Sequence, residues 1–235
     1  MTVSVVGGGL AGCEAAWALA ESGVSVTLHE MRPQVSSPAH ETDLLAEVVF
    51  SNSFKSIETS NPHGLLKAEL RMLGSLILQV ADATSVPAGA ALAVDRMLFA
   101  AEATERLTAH SRVELRREEV TELKSPSIVA TGPLTSDRLA KTIRFRLGAE
   151  SLAFFDSIAP IVSAESLDMS VLYPLSRYGK GSGDDYLNAP LTEDEYRTLV
   201  DQLLGADQYV SHDFETTPFF EACLPVEELA RRGPD

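Results

Sequence analysis

Three glycines and one acid near the N-terminus have the types and spacing of a phosphate-binding site. Gly7, Gly9 and Gly12 match G-x-G-x-x-G, and Glu30 follows Gly12 by 18 residues. Gly7 permits a tight turn, Gly9 lets the backbone approach a pyrophosphate, and Gly12 lets a helix pack closely on a strand. A carboxylate at this distance binds a ribose hydroxyl. The pattern predicts a dinucleotide-binding turn.

The elements that must position these residues are a strand, a helix and a second strand. Val3–Val6 and Val24–Leu28 are short apolar runs typical of buried parallel strands. An alanine-rich helix from about Ala11 to Ser22 connects them, and Gly23 is a stop signal for it. The start of this helix offers unpaired backbone N–H groups and the positive end of the helix dipole to phosphates.

The later elements are predicted from apolar periodicity and from capping residues. One long helix is expected from Pro62 to about Val80, with apolar side chains on one face and Lys67 on the other. Other helices are expected from Asp95 to about His110, Asp137 to about Gly148 and Glu193 to about Leu204. One or two strands are expected in Val113–Leu123 and another in Ser127–Ala130. This alternation predicts an α/β doubly wound domain, and the character of the sequence changes near residue 150.

The composition of the chain limits the classes of protein to which it can belong. The chain has 235 residues, a net charge of −15, 45% hydrophobic residues and two cysteines. No apolar run is long enough for a membrane span, no signal peptide is evident, and the few cysteines fit a cytoplasmic protein. An acidic chain binds polyanions poorly, so any nucleic-acid role requires a local basic patch. No histidines or carboxylates have metal-ligand spacing, and therefore no metal is expected.

The glycine turn is compatible with FAD and with NAD, and two features favour FAD. Ile128–Gly132 is an apolar strand that runs into Ala-Thr-Gly, and it resembles the strand near the cofactor in flavoproteins of the glutathione-reductase type. An ordinary strand followed by a Gly-Pro turn is the alternative. The N-terminal position of the glycine motif is also typical of these flavoproteins. The predicted cofactor-binding residues are Gly7, Gly8, Gly9, Leu10, Ala11, Gly12, Glu30, Arg32, Thr131 and Gly132.

Several further stretches carry a resemblance to one family. They are Glu30–Pro33, Pro38–His40 with Thr42-Asp43, Ser51–Ser56, Gly64–Lys67, Ala81–Thr84, Val94–Arg96, Thr131–Ser136, Ala159–Val162, Ser176–Gly181 and Glu221–Pro225. Together with the glycine motif they span nearly the whole chain. In these stretches the chain resembles the folate- and FAD-dependent tRNA (uracil-5-)-methyltransferases, the TrmFO family.

The resemblance implies a fold and an activity. The fold is a Rossmann-like FAD-binding domain of the glutathione-reductase type, here residues 1–150. A smaller α+β insertion domain, here residues 151–235, interrupts it, and the chain is expected to be truncated within that domain. The activity is C5 methylation of the uridine at position 54 in the tRNA T loop. Methylenetetrahydrofolate gives the carbon, reduced FAD gives the electrons, and NAD(P)H is their usual source.

The resemblance also implies site residues. Cys223 matches one of two family thiols, which share the nucleophile and acid–base roles, although free cysteine is more often a buried packing residue. The other thiol position is Phe50 in this sequence, and Cys13 is expected to pack in the first helix. Arg177 and Lys180 are candidates for contacts with tRNA phosphates, or they belong to a solvated loop.

Two alternatives stay open beside the tRNA methyltransferase, and Phe50 favours the first. One is a non-catalytic FAD-binding or RNA-binding relative, because phenylalanine can neither attack a base nor donate a proton. The other is a paralogue that methylates ribosomal RNA.

Overall fold

The computed structural model describes residues 1–37, 39–49, 51–148, 162–176, 183–206 and 226–233. The chain divides into two units, Met1–Gly148 and Ala149–Asp235. The strands of the first unit are β1 Thr2–Val6, β2 Ser25–Glu30, β3 Ser53–Ser56, β4 Ser85–Val86, β5 Ala91–Val94, β6 Val113–Arg117 and β7 Ser127–Val129. Its α-helices are α1 Leu10–Glu21, α2 Pro62–Met72, α3 Leu76–Ala83, α4 Arg96–Ala109 and α5 Asp137–Leu147.

A four-stranded parallel sheet is the frame of the first unit. Its strand order is β6-β2-β1-β7, and β1 pairs with β2 from Thr2 opposite Ser25 to Val6 opposite His29. Alternate residues of β1, such as Val5, enter a core that also receives Phe99 and Leu107 of α4. The predicted α/β class and the strand–helix–strand start are therefore confirmed. All four strands are parallel, so their carboxyl ends and the loops that follow share one edge of the sheet.

The predicted helix from Pro62 to Val80 is wrong, because two helices occupy this stretch. Gly74 has a φ of +77°, a left-handed conformation that ends α2, and the Ser75 side chain accepts a hydrogen bond from the Leu78 N–H to begin α3. Lys67 is also not on a solvated face. Its ammonium group is buried and donates to the carbonyl oxygens of Ser56 and His63, both at 3.0 Å.

The other predicted elements of the first unit agree with the structure, with one shorter strand. Asp95 caps α4 by accepting from the Met97 and Leu98 N–H groups, and Gly148 ends α5 in the left-handed region. Only Val113–Arg117 of the predicted strand stretch forms a strand, and the chain then runs without regular structure to Pro126.

The described part of the second unit contains a two-stranded sheet and two helices. Strands β8 Tyr173–Pro174 and β9 Leu187–Asn188 pair antiparallel, and the helices are α6 Glu193–Gly205 and α7 Val226–Arg232. The predicted capping box is confirmed at α6, where Thr192 and Glu195 exchange hydrogen bonds. Among all described helices of the chain, none is long and apolar enough to cross a membrane.

Candidate functional site: a cleft at the carboxyl edge of the sheet

The glycine turn between β1 and α1 is closed by contacts that exclude larger side chains. Gly7 has a φ of +106°, and a Cβ there would lie 2.7 Å from the carbonyl oxygen of Ala130. A Cβ on Gly12 would lie 1.8 Å from the Gly7 carbonyl oxygen. Glycine is therefore required at Gly7 for the left-handed turn and at Gly12 for the close approach of helix to strand.

The N-terminus of α1 differs from those of the other described α-helices with a defined cap. Side chains cap these helices, namely Asn61, Ser75, Asp95, Ser136 and Thr192. At α1 the N-cap is Gly9, which has no side chain to bond the first N–H groups, and a Cβ there would meet nothing within 4 Å. The first turn of α1 thus leaves backbone donors unpaired beside open space.

Glu30 ends β2 directly behind the glycine turn. One carboxylate oxygen accepts from the Gly8 N–H at 3.0 Å, and the other accepts from the Arg32 N–H at 3.0 Å and from Arg32 Nε at 2.9 Å. Burial by itself would raise the pKa of Glu30. The hydrogen bonds and the charge of Arg32, with the bond from Gly8, outweigh that effect and hold the pKa below its usual range. Glu30 is therefore a buried, ionised carboxylate.

Arg32 lies behind Glu30 and does not line the cleft, although it was among the predicted cofactor-binding residues. Only 2% of its surface is exposed. Its Nη1 donates to the Thr42 carbonyl at 3.0 Å and to the Glu47 carboxylate at 2.9 Å. Its Nη2 is a buried donor without a described hydrogen-bond partner. The structural role of Arg32 is to join Glu30 to Glu47.

Residues 41–49, here called the strap, cover the glycine turn. The Ala46 N–H donates to the Gly8 carbonyl at 2.8 Å, and the Leu45 N–H donates to Thr104 Oγ1 of α4 at 2.8 Å. The Arg96 guanidinium bonds the Val48 carbonyl. These contacts hold the strap against both the turn and α4, so that Glu47, Val48 and Val49 form one wall of the cleft.

The opposite wall begins at the end of β7. The Ala130 N–H donates to the Val6 carbonyl at 2.8 Å, which brings the Ala-Thr-Gly stretch beside the glycine turn. Thr131, Gly132 and Thr135 then line the cleft, and the Thr131 and Thr135 hydroxyls are 2.6 Å apart. The two walls enclose a volume of about 410 Å³.

The charged side chains that line this cleft are carboxylates. They belong to Glu30, Glu47, Glu118 and Glu119, and no lysine or arginine is among the described lining residues. An anionic group would therefore be held by the backbone N–H groups of the turn and by the helix dipole. A further negative charge at the Glu30 end would be repelled by these carboxylates.

Polar residues of the cleft that the sequence analysis did not predict include Glu47, Thr135 and His40, besides Glu118 and Glu119. Glu47 and Thr135 line it from the two walls, and His40 lies beside the strap with its Nδ1 2.6 Å from Ser37 Oγ. Burial, then the charge of Arg32, lowers the pKa of His40. Only His40 and Thr135 carried a signal, because both belong to stretches that support the family resemblance.

Cys13 is an inert packing residue in the structure, as predicted. It is fully buried in α1, and its Sγ donates to the Gly8 carbonyl at 3.2 Å. Burial raises the pKa of its thiol to about 12. A thiol with this pKa is protonated at neutral pH, so Cys13 is not a nucleophile.

Four residues singled out from the sequence lie outside the described residues. They are Phe50, Arg177, Lys180 and Cys223. Among the residues that are described, no three histidine, cysteine or acidic side chains form a group that could hold a metal ion. The absence of a metal stays a prediction.

Comparison with known proteins assigns the chain to a family. The family model described as "Glucose inhibited division protein A" matches residues 2–235. The methylenetetrahydrofolate–tRNA-(uracil-5-)-methyltransferase TrmFO of Geobacter sulfurreducens is 55% identical over 98% of this chain and 54% of its own length. The protein of that name from an Anaeromyxobacter species is 56% identical over 99% of this chain and 52% of its own length.

The chain spans about half the length of these curated relatives. A solved structure titled Aquifex aeolicus GidA in the form II crystal matches with a TM-score of 0.45 and 18% identity, over 56% of this chain and 25% of that one. The family model, in contrast, covers nearly every residue. The chain therefore belongs to the glucose inhibited division protein A family.

Proposed function

We propose that this chain is part of a folate- and FAD-dependent methyltransferase that forms 5-methyluridine at position 54 in the T loop of tRNA. The observation that carries the proposal is the cleft around the glycine turn. Identity above 50% to relatives named for this activity supports it. Because the chain spans about half of those relatives, the activity is proposed for a protein that includes their remaining half.

The cleft fits the adenosine diphosphate part of FAD. The unpaired N–H groups at the start of α1 suit a pyrophosphate, and the open space at Gly9 lets it approach the backbone. Glu30 Oε2 accepts one hydrogen bond, from Gly8, and keeps a lone pair for a ribose hydroxyl. Thr131 and Gly132 lie on the opposite wall. Bound FAD would supply the electrons that complete the methyl group.

The chemistry at uracil requires a thiolate. Uracil C5 is a poor nucleophile, and addition of a thiolate at C6 turns C5 into an enolate carbon that can attack a one-carbon unit. We assign Cys223 to this chemistry, as nucleophile or as acid–base, because the resemblance matches it to a family thiol. Cys13 is buried and its raised pKa keeps it protonated. Methylenetetrahydrofolate as carbon donor, NAD(P)H as electron source and a cytoplasmic location belong to the same proposal. So do contacts of Arg177 and Lys180 with tRNA.

Phe50 supports a second candidate, a non-catalytic FAD-binding or RNA-binding relative. The resemblance puts a family thiol at this position, and phenylalanine cannot replace its chemistry. Methylation assays would be run on this chain joined to the remaining half of a curated relative, once with Phe50 and once with Phe50→Cys. Activity that appears only with Phe50→Cys would support the non-catalytic relative. Full activity with Phe50 would exclude that candidate. Parallel assays with tRNA and with ribosomal RNA would distinguish a tRNA methyltransferase from a paralogue that methylates ribosomal RNA.

Retention of flavin tests the cofactor part of the proposal. The chain would be mixed with FAD and desalted, and its visible absorption measured. We expect Gly9→Ala to lose flavin, because the new Cβ projects into the space for the pyrophosphate while the fold has room for it. Gly205→Ala is the matched control, since its Cβ also meets nothing within 4 Å. Equal flavin in both variants and in the original chain would contradict the proposed site.

A further inference from the structure

Helix α5 carries a concentration of positive charge in an acidic chain. From Asp137 to Leu147 it has four basic residues and one acidic residue, Asp137, whereas the chain as a whole has a net charge of −15. Exposed charges farther apart than about 8–10 Å are largely screened at physiological salt. What the surface of α5 attracts is therefore governed by its own charges and by nearby ones such as Glu119, which pairs with Arg138.

The basic residues of α5 surround an exposed aromatic ring. Leu139 and Ala140 are buried and define the inner face of the helix. Lys141 and Phe145 are four residues apart, so they share the outer face, and both are exposed. Phe145 is 89% exposed. A phenylalanine in this position adds nothing to the core, and Lys141 is its neighbour one turn earlier on the helix surface.

This outer face begins beside the cleft. Arg138 Nη1 is 2.9 Å from Glu119 Oε2, and Glu119 lines the cleft together with Ser136 and Leu139 of the α5 region. Farther along, Arg146 Nη2 donates to the Leu123 carbonyl at 2.8 Å, which fixes the end of the helix on the segment after β6. A ligand lying along α5 would extend from the neighbourhood of the cleft outward.

We propose that the outer face of α5 binds RNA, with Lys141 and Arg146 beside phosphates and Phe145 stacked on an unpaired base. Cations interleaved with an exposed aromatic ring match a polyanion whose bases are accessible. Protein interfaces are also enriched in phenylalanine and arginine, so the oligomeric state is measured beside the RNA affinity. This inference rests on the proposed function. It gives the RNA a binding surface on α5, besides the contacts proposed for Arg177 and Lys180.

The test is the affinity of the chain for an unmodified hairpin with the T-arm sequence of a tRNA, measured by fluorescence anisotropy at several salt concentrations. Phe145→Ala is expected to raise Kd about five-fold or more, because a base loses its stacking partner. Lys141→Ala is expected to lower the slope of log K against log salt by about 0.7–0.9. A fully paired duplex of the same length should not respond to Phe145→Ala.

Two variants serve as matched controls. Leu73→Ala removes another apolar side chain that is 81% exposed, and Arg197→Ala removes an exposed cation of α6. Neither should change the affinity or the salt slope. Equal effects of test and control variants, or no binding of the hairpin at low salt, would overturn the proposal. A change of oligomeric state with Phe145→Ala and no change of Kd would also overturn it, because the face would then bind protein.

Flavin retention, measured on the same samples, separates this inference from the proposed function. The α5 variants should keep flavin, since neither Lys141 nor Phe145 lines the cleft. RNA binding that is insensitive to α5 while flavin is retained would reject the docking surface alone. Loss of flavin from the original chain would count against the cofactor site. The RNA affinities would then still test the α5 surface independently.

Discussion

The two units of the chain differ in where apolar side chains are buried. In Met1–Gly148 a continuous core encloses Phe99, Leu28 and Val94. In the described part of Ala149–Asp235, Ser176 is the one residue that is buried, and Leu199 of α6 remains 42% exposed. The comparison shows that the cleft rests on a packed support, whereas the described side chains of α6 and α7 remain largely at the surface.

The two units also differ in charge. Residues 1–148 hold 14 basic and 17 acidic side chains, a net charge of −3, and residues 149–235 hold 5 and 17, a net charge of −12. The acidity of the chain therefore belongs mainly to its second unit. The first unit is nearly balanced, and it contains both the candidate dinucleotide cleft and the basic helix α5.

The largest expected effect tests whether the core of the first unit carries the stability. Phe99 is fully buried and packs beside Phe54 with ring centroids 5.5 Å apart. We expect Phe99→Ala to lower the free energy of unfolding by about 3–5 kcal/mol, because it leaves a cavity. Leu199→Ala in the second unit should cost much less, about 1 kcal/mol or below, since 42% of its surface is already exposed. Urea unfolding measures both, and similar losses would contradict the comparison.

An intermediate effect concerns acid stability. The pKa of Glu30 is lower in the folded chain than its ordinary value of 4.5. Its ionised form therefore adds stability that is present above about pH 4.5 and lost as the pH falls through the folded pKa. Glu30→Gln should cost about 1.5–3 kcal/mol at neutral pH, because hydrogen bonds to a charged group are lost. This difference from the original chain should shrink on acidification.

Glu195 is the matched carboxylate in the second unit. Its pKa is also lowered, by hydrogen bonds from the Thr192 N–H and hydroxyl, but its side chain is exposed. Glu195→Gln should therefore leave the pH dependence of unfolding nearly unchanged. Thermal unfolding between pH 7 and pH 4 compares the two variants. A stronger pH effect from Glu195→Gln than from Glu30→Gln would contradict the claim that the buried carboxylate of the first unit controls acid stability.

The smallest expected effect is local to α6. Thr192→Ala removes one half of its capping box and should destabilise that helix by about 1 kcal/mol. Hydrogen exchange should accelerate in the first turn of α6, while the amides of β1 and β2 keep their rates. Acceleration in the parallel sheet as well would show that the two units unfold together.

Much of the first unit could be predicted because its local signals agree with each other. The glycine spacing, the alternating strands and the capping residues Asp95 and Ser136 all point to the observed elements. The break between α2 and α3 was missed because the leucines around Gly74 keep a helical period on both sides of it. A single left-handed glycine ended the helix where the apolar pattern continued.

The candidate site was predicted in part, and its missing members have a common cause. Gly7, Gly12 and Glu30 lie in one short motif, so their spacing in sequence revealed them. Glu47 reaches the cleft only because Arg32 and the backbone contacts of the strap hold it there. Contacts of this kind depend on tertiary packing, which no sequence pattern encodes. The same reason explains why Arg32 was predicted to bind a cofactor rather than to join two carboxylates.

Hydrogen exchange at the start of α1 tests the central claim most directly. The N–H groups of Leu10, Ala11 and Gly12 belong to a helix turn without a side-chain cap. The account predicts that saturating FAD slows exchange at these amides and leaves unchanged the first turn of α4, which Asp95 already caps and which does not line the cleft. Unchanged exchange at Leu10–Gly12 with FAD at saturation would contradict the claim that this turn holds the pyrophosphate.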